Sequence, residues 1–127
     1  MKPTITWNAD KFGVEIKTDT EHFVISAQPS LSMSWYDATR FFSESKHTEF
    51  PTKEQLLLVR KHLDEINAII KANKGYEIRN WLWASSEHDA HIAEMVGVYT
   101  PGTRTALEPK KIHGEVRPVC ILTNLKE

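Results

Sequence analysis

Phe50-Pro51-Thr52-Lys53-Glu54-Gln55-Leu56-Leu57 opens the longest periodic segment of the chain, which runs on to Gly75. Thr52 is suited to cap a helix, its hydroxyl accepting from a free N–H of the first turn, and Gln55 three residues on can reach back to complete a capping box. Leu56, Val59, Leu63, Ile66 and Ile70 then recur at alternating spacings of three and four, which sets them on one face with Ile69 beside them. Asn73-Lys74-Gly75 supplies the stop, with glycine expected in the left-handed conformation that satisfies the last carbonyls. A helix from Lys53 to Asn73 would run roughly 30 Å at 1.5 Å per residue, about the width of a small domain. The remainder of the chain must wrap around it.

The chain has 127 residues, which suits one domain able to bury a core without disulfides or metal. Hydrophobic residues make up 40% and charged ones 26%, an ordinary globular mixture without a low-complexity stretch. The formal net charge is -1 and the pI is near 6.6, so charge alone recruits neither nucleic acid nor an anionic membrane. Arg60-Lys61-His62 and Lys110-Lys111 are short basic clusters and read as solvated faces. Cys120 is the only cysteine, which excludes an internal disulfide. Met1 to Trp7 holds no apolar run resembling a signal peptide, and no run approaches a membrane span. We therefore expect a soluble, cytoplasmic protein; a virion component made in the cytoplasm would read the same.

Outward from the helix, Phe12–Ile16 and His22–Ala27 are rich in β-formers and flank a polar stretch, which predicts an amino-terminal hairpin ended by Gln28-Pro29-Ser30. Ser34 can cap a short helix with Asp37 at its third position, Ala38, Phe41 and Phe42 following Trp35 at helical spacing, and an end near Ser45-Lys46. Its aromatic stripe is expected on the sheet or on the long helix. After Gly75 the character changes to short apolar runs. Trp81–Ser86 and Ile92–Tyr99 read as strands, the second central in a sheet, with Glu87–Ala90 as a polar loop between them. Thr100-Pro101-Gly102-Thr103 is a turn signal, with Pro at the first corner and Gly at the second. A weaker strand over Arg104–Leu107, a loop over Pro109–Gly114 and a final strand over Val116–Leu122 complete the chain, Pro118 requiring an open edge or a bulge. Strands, two helices, then strands predict an α+β domain, two helices on a mainly antiparallel sheet, with the termini in neighbouring strands.

Four stretches occur in order: Trp35-Tyr36-Asp37-Ala38, Phe50-Pro51-Thr52-Lys53-Glu54-Gln55-Leu56, Leu82-Trp83-Ala84-Ser85-Ser86 and Val116-Arg117-Pro118-Val119. This combination resembles a bacterial and phage family with the C-type lectin-like fold. Its members carry a Trp-x-x-Ala helix, a Leu-Pro-Thr-x-x-Glu-Leu helix start, a Tyr-Trp-Ser-Ser strand and a closing Val-Arg-Pro-Val or Val-Arg-Cys-Val. The family is related in fold to formylglycine-generating enzymes and to retroelement-diversified variable proteins. The resemblance spans about Phe12 to Leu122 and implies mainly structural roles for Trp35, Ala38, Pro51, Leu56, Trp83, Ser85, Ser86 and Arg117. Phe50 stands where Leu is usual, Gln55 where Glu is usual, and Ala84 where Ser is frequent. The sequence has no Glu-Pro-Asn, Gln-Pro-Asp or Trp-Asn-Asp triplet and no second cysteine, so the lectin calcium site and the cysteine pair of the enzymes have no counterpart. The resemblance thus implies a binding scaffold without naming an activity.

Candidate chemistry is sparse. Trp81 and Trp83 should point to one sheet face with Leu82 on the other. Trp83 reads as core, while Trp81 reads equally as core or as an aromatic platform for a glycan, peptide or protein. His88-Asp89-Ala90-His91, between Glu87 and Glu94, holds metal-ligand types in a spacing that fits no zinc pattern, with His113 or Glu115 as the only distant ligands, and reads as a solvated turn. Cys120 within an apolar strand reads as a buried inert thiol, and Ser85-Ser86 lacks a nucleophile elbow. Arg117, alternating with apolar neighbours, is expected to pair with a carboxylate at a structural corner. We expect no enzyme, no cofactor and no metal. The expectation is a recognition domain whose contact surface lies between Glu87 and Glu115, with Trp81, Glu87, His88, Asp89, His91, Tyr99 and Arg104 as ligand-binding residues. The partner would be a protein or a surface glycan, not nucleic acid or membrane, and an oligomer is compatible with the sequence. An assembly module of a phage virion or other oligomer is the alternative, and a metal-dependent enzyme stands behind both.

Overall fold

A computed structural model of the chain describes residues 3–99, 102 and 104–122. Two sheets and three helices make an α+β architecture. The first sheet contains β1 (Thr4–Asn8), β2 (Gly13–Lys17), β3 (His22–Ser26) and β9 (Val119–Ile121), in the order β1-β2-β3-β9 and antiparallel throughout. The second contains β4 (Leu31–Ser34), β5 (Trp81–Glu87), β6 (Ile92–Gly97), β7 (Thr105–Pro109) and β8 (His113–Val116), ordered β4-β8-β5-β6-β7. Among the described residues only β5 and β8 run parallel, meeting at Leu82 and Glu115. The expected amino-terminal hairpin is β2–β3. β1 and β4 lie in stretches too polar to announce themselves as strands, TITWN and LSMS, and take their conformation from backbone pairing with β2 and β8.

The helices are α1 (Trp35–Ser43), α2 (Lys53–Lys61) and α3 (Leu63–Ala72). Ser34 caps α1 by accepting from the Asp37 N–H at 3.1 Å. The capping box of α2 is formed as expected: Thr52 Oγ1 accepts from Gln55 N–H, and Gln55 Oε1 accepts from Thr52 N–H, each at 3.0 Å. Leu56, Val59, Leu63, Ile66 and Ile70 are all buried. The single long helix, however, is two. It breaks at His62, whose φ of −116° and ψ of 27° leave the helical region. The reason is tertiary: α2 packs on β5 and β6 of the second sheet, whereas α3 packs on β1 and β2 of the first. A straight helix could not follow both surfaces. At the far end the left-handed residue is Lys74 (φ 63°) rather than Gly75. Lys74 N–H donates to Lys71 O at 3.1 Å and Gly75 N–H to Ile70 O at 2.9 Å, the Schellman pattern. Gly75 is demanded instead by close approach, because a Cβ there would lie 2.8 Å from Ala27 Cβ.

The core has two compartments. The larger lies between the sheets and holds Val14, Ile16, Phe23, Ile25 and Val119 from the first, Leu82, Ala84, Val96 and Val98 around the second, and the α2–α3 seam. The smaller lies on the opposite face of the second sheet, where Trp83, Ala93, Met95 and Val116 meet Trp35, Ala38 and Phe42 of α1. Leu82 and its flanking tryptophans therefore face opposite compartments, as strand alternation requires. The aromatic stripe of α1 packs on this sheet face and on Phe50, which stacks with Phe42 at 5.1 Å. Phe41 stays exposed.

The carboxyl-terminal stretch departs most from expectation. The anticipated final strand is two strands in different sheets, β8 and β9, with Arg117-Pro118 crossing between them. Pro118 needs no edge because it sits in no ladder, and its carbonyl accepts from Ser26 N–H at 3.0 Å. The loop anticipated over Pro109–Gly114 is shorter, since Pro109 ends β7 and His113-Gly114 begin β8. Arg117 is buried, and its guanidinium donates to Ser30 Oγ and to the carbonyls of Ser26, Tyr76 and Glu77, at 2.8–3.0 Å. It is thus tied to backbone and not to the expected carboxylate. Burial pulls it down to about 10, so it stays charged at neutral pH. The terminal strands are not neighbours either: β1 and β9 share a sheet at opposite edges, because β2 and β3 lie between them. Of the anticipated turn, Thr100, Pro101 and Thr103 lie outside the described residues, and Gly102 has the positive φ (82°) suited to a second corner. Among the described residues no helix is long and apolar enough to cross a membrane.

Candidate functional site

The β5–β6 hairpin decides where the expected ligand-binding residues go. Glu87, His88, Asp89 and His91 sit at its turn, whereas Trp81, Tyr99 and Arg104 sit at its other end. From Trp81 to Glu87 is six residue steps along β5, about 20 Å at 3.3 Å per residue. The two groups cannot form one site.

At the turn, Asp89 Oδ1 accepts from the N–H groups of His91 and Ile92, each at 2.8 Å. The His91 N–H is the largest influence holding this carboxyl below the usual carboxylate range. Asp89 is therefore a turn-former, and the exposed imidazoles of His88 and His91 flank it. Among the described residues no three of His, Cys, Asp and Glu converge in a way that could hold a metal ion. Glu87 has a partner that the sequence did not suggest. Lys110, 2% exposed, places Nζ 2.5 Å from Glu87 Oε2, 4.3 Å from the Trp35 ring centroid and 5.7 Å from that of Tyr36. Lys110 N–H donates to His91 O at 2.8 Å, Trp35 N–H to Lys110 O at 3.0 Å, and Tyr36 Oη to Ala90 O at 3.0 Å. The turn is stitched to the start of α1. Lys110 is thus not part of a solvated face; no linear signal separates it from Lys111, because only packing puts aromatic rings around it.

At the other end, Tyr99 is exposed and stacks under the Arg79 guanidinium at 5.2 Å. Gly97 N–H donates to Arg104 O at 2.9 Å, and Arg60 donates to the carbonyls of Gly97 and Gly102. Arg60, Lys61, His62 and Tyr99 border an open hollow of about 700 Å³ over the helix break. A second hollow, about 560 Å³, lies between α2 and Arg104 and is bordered by Glu54, Leu57, Leu58, Arg60 and Lys61. The basic stretch at the end of α2, read as solvated, therefore faces the same surface as Tyr99 and Arg104. Trp81 does not join them. It is half-buried in the compartment of Trp83, on the opposite sheet face, which favours its core reading.

A third concavity, about 420 Å³, lies outside the first sheet against Val24, Pro29, Pro118 and Cys120, with Lys11 and His47 at its rim. Cys120 is half-buried rather than buried, because β9 is an edge strand and residue 120 points away from the inter-sheet core. No family model and no curated protein matches the sequence.

Proposed function

We propose that the chain is a non-catalytic recognition domain with a C-type lectin-like fold, its contact surface carried by the segment from Glu87 to Glu115. The motif residues support the fold reading by their positions. Trp35 Nε1 donates to Ala84 O at 2.9 Å, Pro51 and Trp83 are buried, and Arg117 donates to oxygens of Ser26, Ser30, Tyr76 and Glu77. The function rests on one observation above the rest. Tyr99 and Arg104 stand exposed beside two open hollows, Arg104 O accepts from Gly97 N–H, and Val98 N–H, next to Tyr99, donates to Asn80 O, so the surface is accessible and the backbone beside it is held. A partner of acidic or mixed polar character fits the Arg60, Lys61, Arg79 and Arg104 side chains there. The test compares wild type with a variant carrying His88→Ala, His91→Ala, Tyr99→Ala and Arg104→Ala on a glycan array and a displayed-peptide library. Wild-type binding, lost in a variant whose melting temperature is unchanged, is expected. Absence of wild-type binding on both, or loss of folding in the variant, overturns the reading.

A further inference from the structure

β7 is the outer strand of the second sheet, and its pairing with β6 identifies which backbone groups it leaves open. The bonds from Gly97 N–H to Arg104 O and from Lys110 N–H to His91 O mark residues 104 and 110 as turned toward β6. Antiparallel alternation then turns Ala106 and Glu108 inward as well, opposite Met95 and Ala93. Thr105 and Leu107 consequently direct N–H and C=O outward. None of these four groups bonds another described residue, and Pro109 O is engaged by Ile112 N–H at 3.2 Å. The edge is a two-donor, two-acceptor strip with a repeat of about 6.8 Å.

What flanks the strip matters as much. α2 covers β5 and β6 but leaves the helix-facing side of β7 open, so Leu107 is 49% exposed. The hollow between α2 and Arg104 continues this shelf with Leu57 as its floor. The shelf has a charge direction: Arg104 and Lys61 stand at one end, and Glu54 at the other, where Lys53 is drawn to Glu94 at 3.3 Å. By contrast the β9 edge of the first sheet is closed by Glu49, which exchanges two backbone bonds with Val119 at 2.7 and 3.2 Å.

We propose that the open edge of β7, with the flank of α2 beside it, takes an extended peptide segment by strand addition, an acidic residue of the peptide meeting Arg104 and Lys61. Outward N–H and C=O groups in alternation recognise an extended main chain and nothing else so well. Alternate peptide side chains would enter the shelf against Leu57 and Leu107, and the basic end selects the acidic position. Self-pairing of β7 in a second copy, in the register centred on Ala106, would meet the same four groups, and the concentration dependence in the test below distinguishes it from a peptide. This inference rests on the recognition reading above and narrows it to one edge and one ligand class.

The test pans a displayed random heptapeptide library on the full chain, then measures amide exchange with and without the enriched peptides. Expected are sequences sharing an acidic residue, at least about tenfold slower exchange at Thr105 and Leu107, and about tenfold weaker binding when the peptide is N-methylated at alternate amides, a loss corresponding to one or two hydrogen bonds. Arg104→Glu, with folding confirmed by circular dichroism, should weaken binding by a similar factor. Enriched peptides that protect only the Glu87–His91 turn would overturn the edge assignment while leaving the recognition reading standing. No enrichment at all would overturn both. Protection of Thr105 and Leu107 without peptide, in a concentration-dependent dimer, would replace the peptide with a second copy.

Discussion

Among the described residues, Lys110 and Arg117 are the two cations that the fold encloses, and they are held differently. Lys110 has one carboxylate, Glu87, on a side chain more than half exposed, and an indole face for the rest. Glu87→Ala would leave the ammonium enclosed without its counter-charge and should lower the unfolding free energy by about 1–3 kcal/mol. Adding Lys110→Met removes the charge while keeping the volume, and should recover most of that loss in urea titrations. Arg117 instead satisfies four oxygen acceptors from three segments of chain. Arg117→Lys supplies one point charge where a planar fork is needed, so it should cost about 3 kcal/mol or more, measurable in the same titrations. A third residue-scale effect depends on pH. His22 Nε2 lies 2.8 Å from Glu15 Oε2, and this bond, followed by Asn8, holds the Glu15 carboxyl below its ordinary 4.5. A carboxyl lowered in the folded state stabilises above its unfolded value, and that contribution is lost as pH falls through the folded one. The stability gap between wild type and Glu15→Gln should therefore be largest near neutrality and close below about pH 4.5, as urea midpoints across pH would record.

At the scale of elements, α3 has a task beyond its apolar seam. Asn67 is buried, and its side chain donates to Ile78 O at 3.0 Å and accepts from Ile78 N–H at 2.8 Å. It thereby holds the extended passage from Gly75 to β5, which also supplies two of the carbonyls gripped by Arg117. Asn67→Ala orphans both Ile78 groups and should cost about 2–4 kcal/mol in chemical denaturation. Asn67→Asp keeps the acceptor and should cost less. The helical seam was legible from spacing alone, since each of its residues is buried. The break at His62 was not, because no proline or glycine marks it and its cause is the angle between the two sheets that α2 and α3 cover.

Across the whole molecule, the larger compartment draws side chains from both sheets and from the α2–α3 seam, so the first sheet keeps no core of its own if the second is lost, and the second keeps only the smaller compartment against α1. Unfolding should therefore be one transition. The fluorescence of Trp7, read in a variant with the other tryptophans replaced by phenylalanine, should lose its native signal at the same urea midpoint as far-ultraviolet circular dichroism. Separate midpoints would mean that the two sheets unfold independently. The strand switch at Arg117-Pro118 supports this coupling, because a single buried side chain bonds the last residue of β3 and groups that precede β5.

Local patterning by itself determined the helix caps, the buried seam, the opposed faces of Leu82 and Trp83, and the α+β class, because each depends on residues within a few positions of one another. Only the tertiary structure decided which sheet each carboxyl-terminal strand joined, where the long helix broke and which cations were enclosed. Those outcomes are set by chain segments far apart in sequence. The candidate site divides the same way. Exposed Tyr99 and Arg104 were readable as polar residues after an apolar run, but the alternate open backbone groups of β7 and the shelf beside α2 exist only once β6 has taken one edge and left the other.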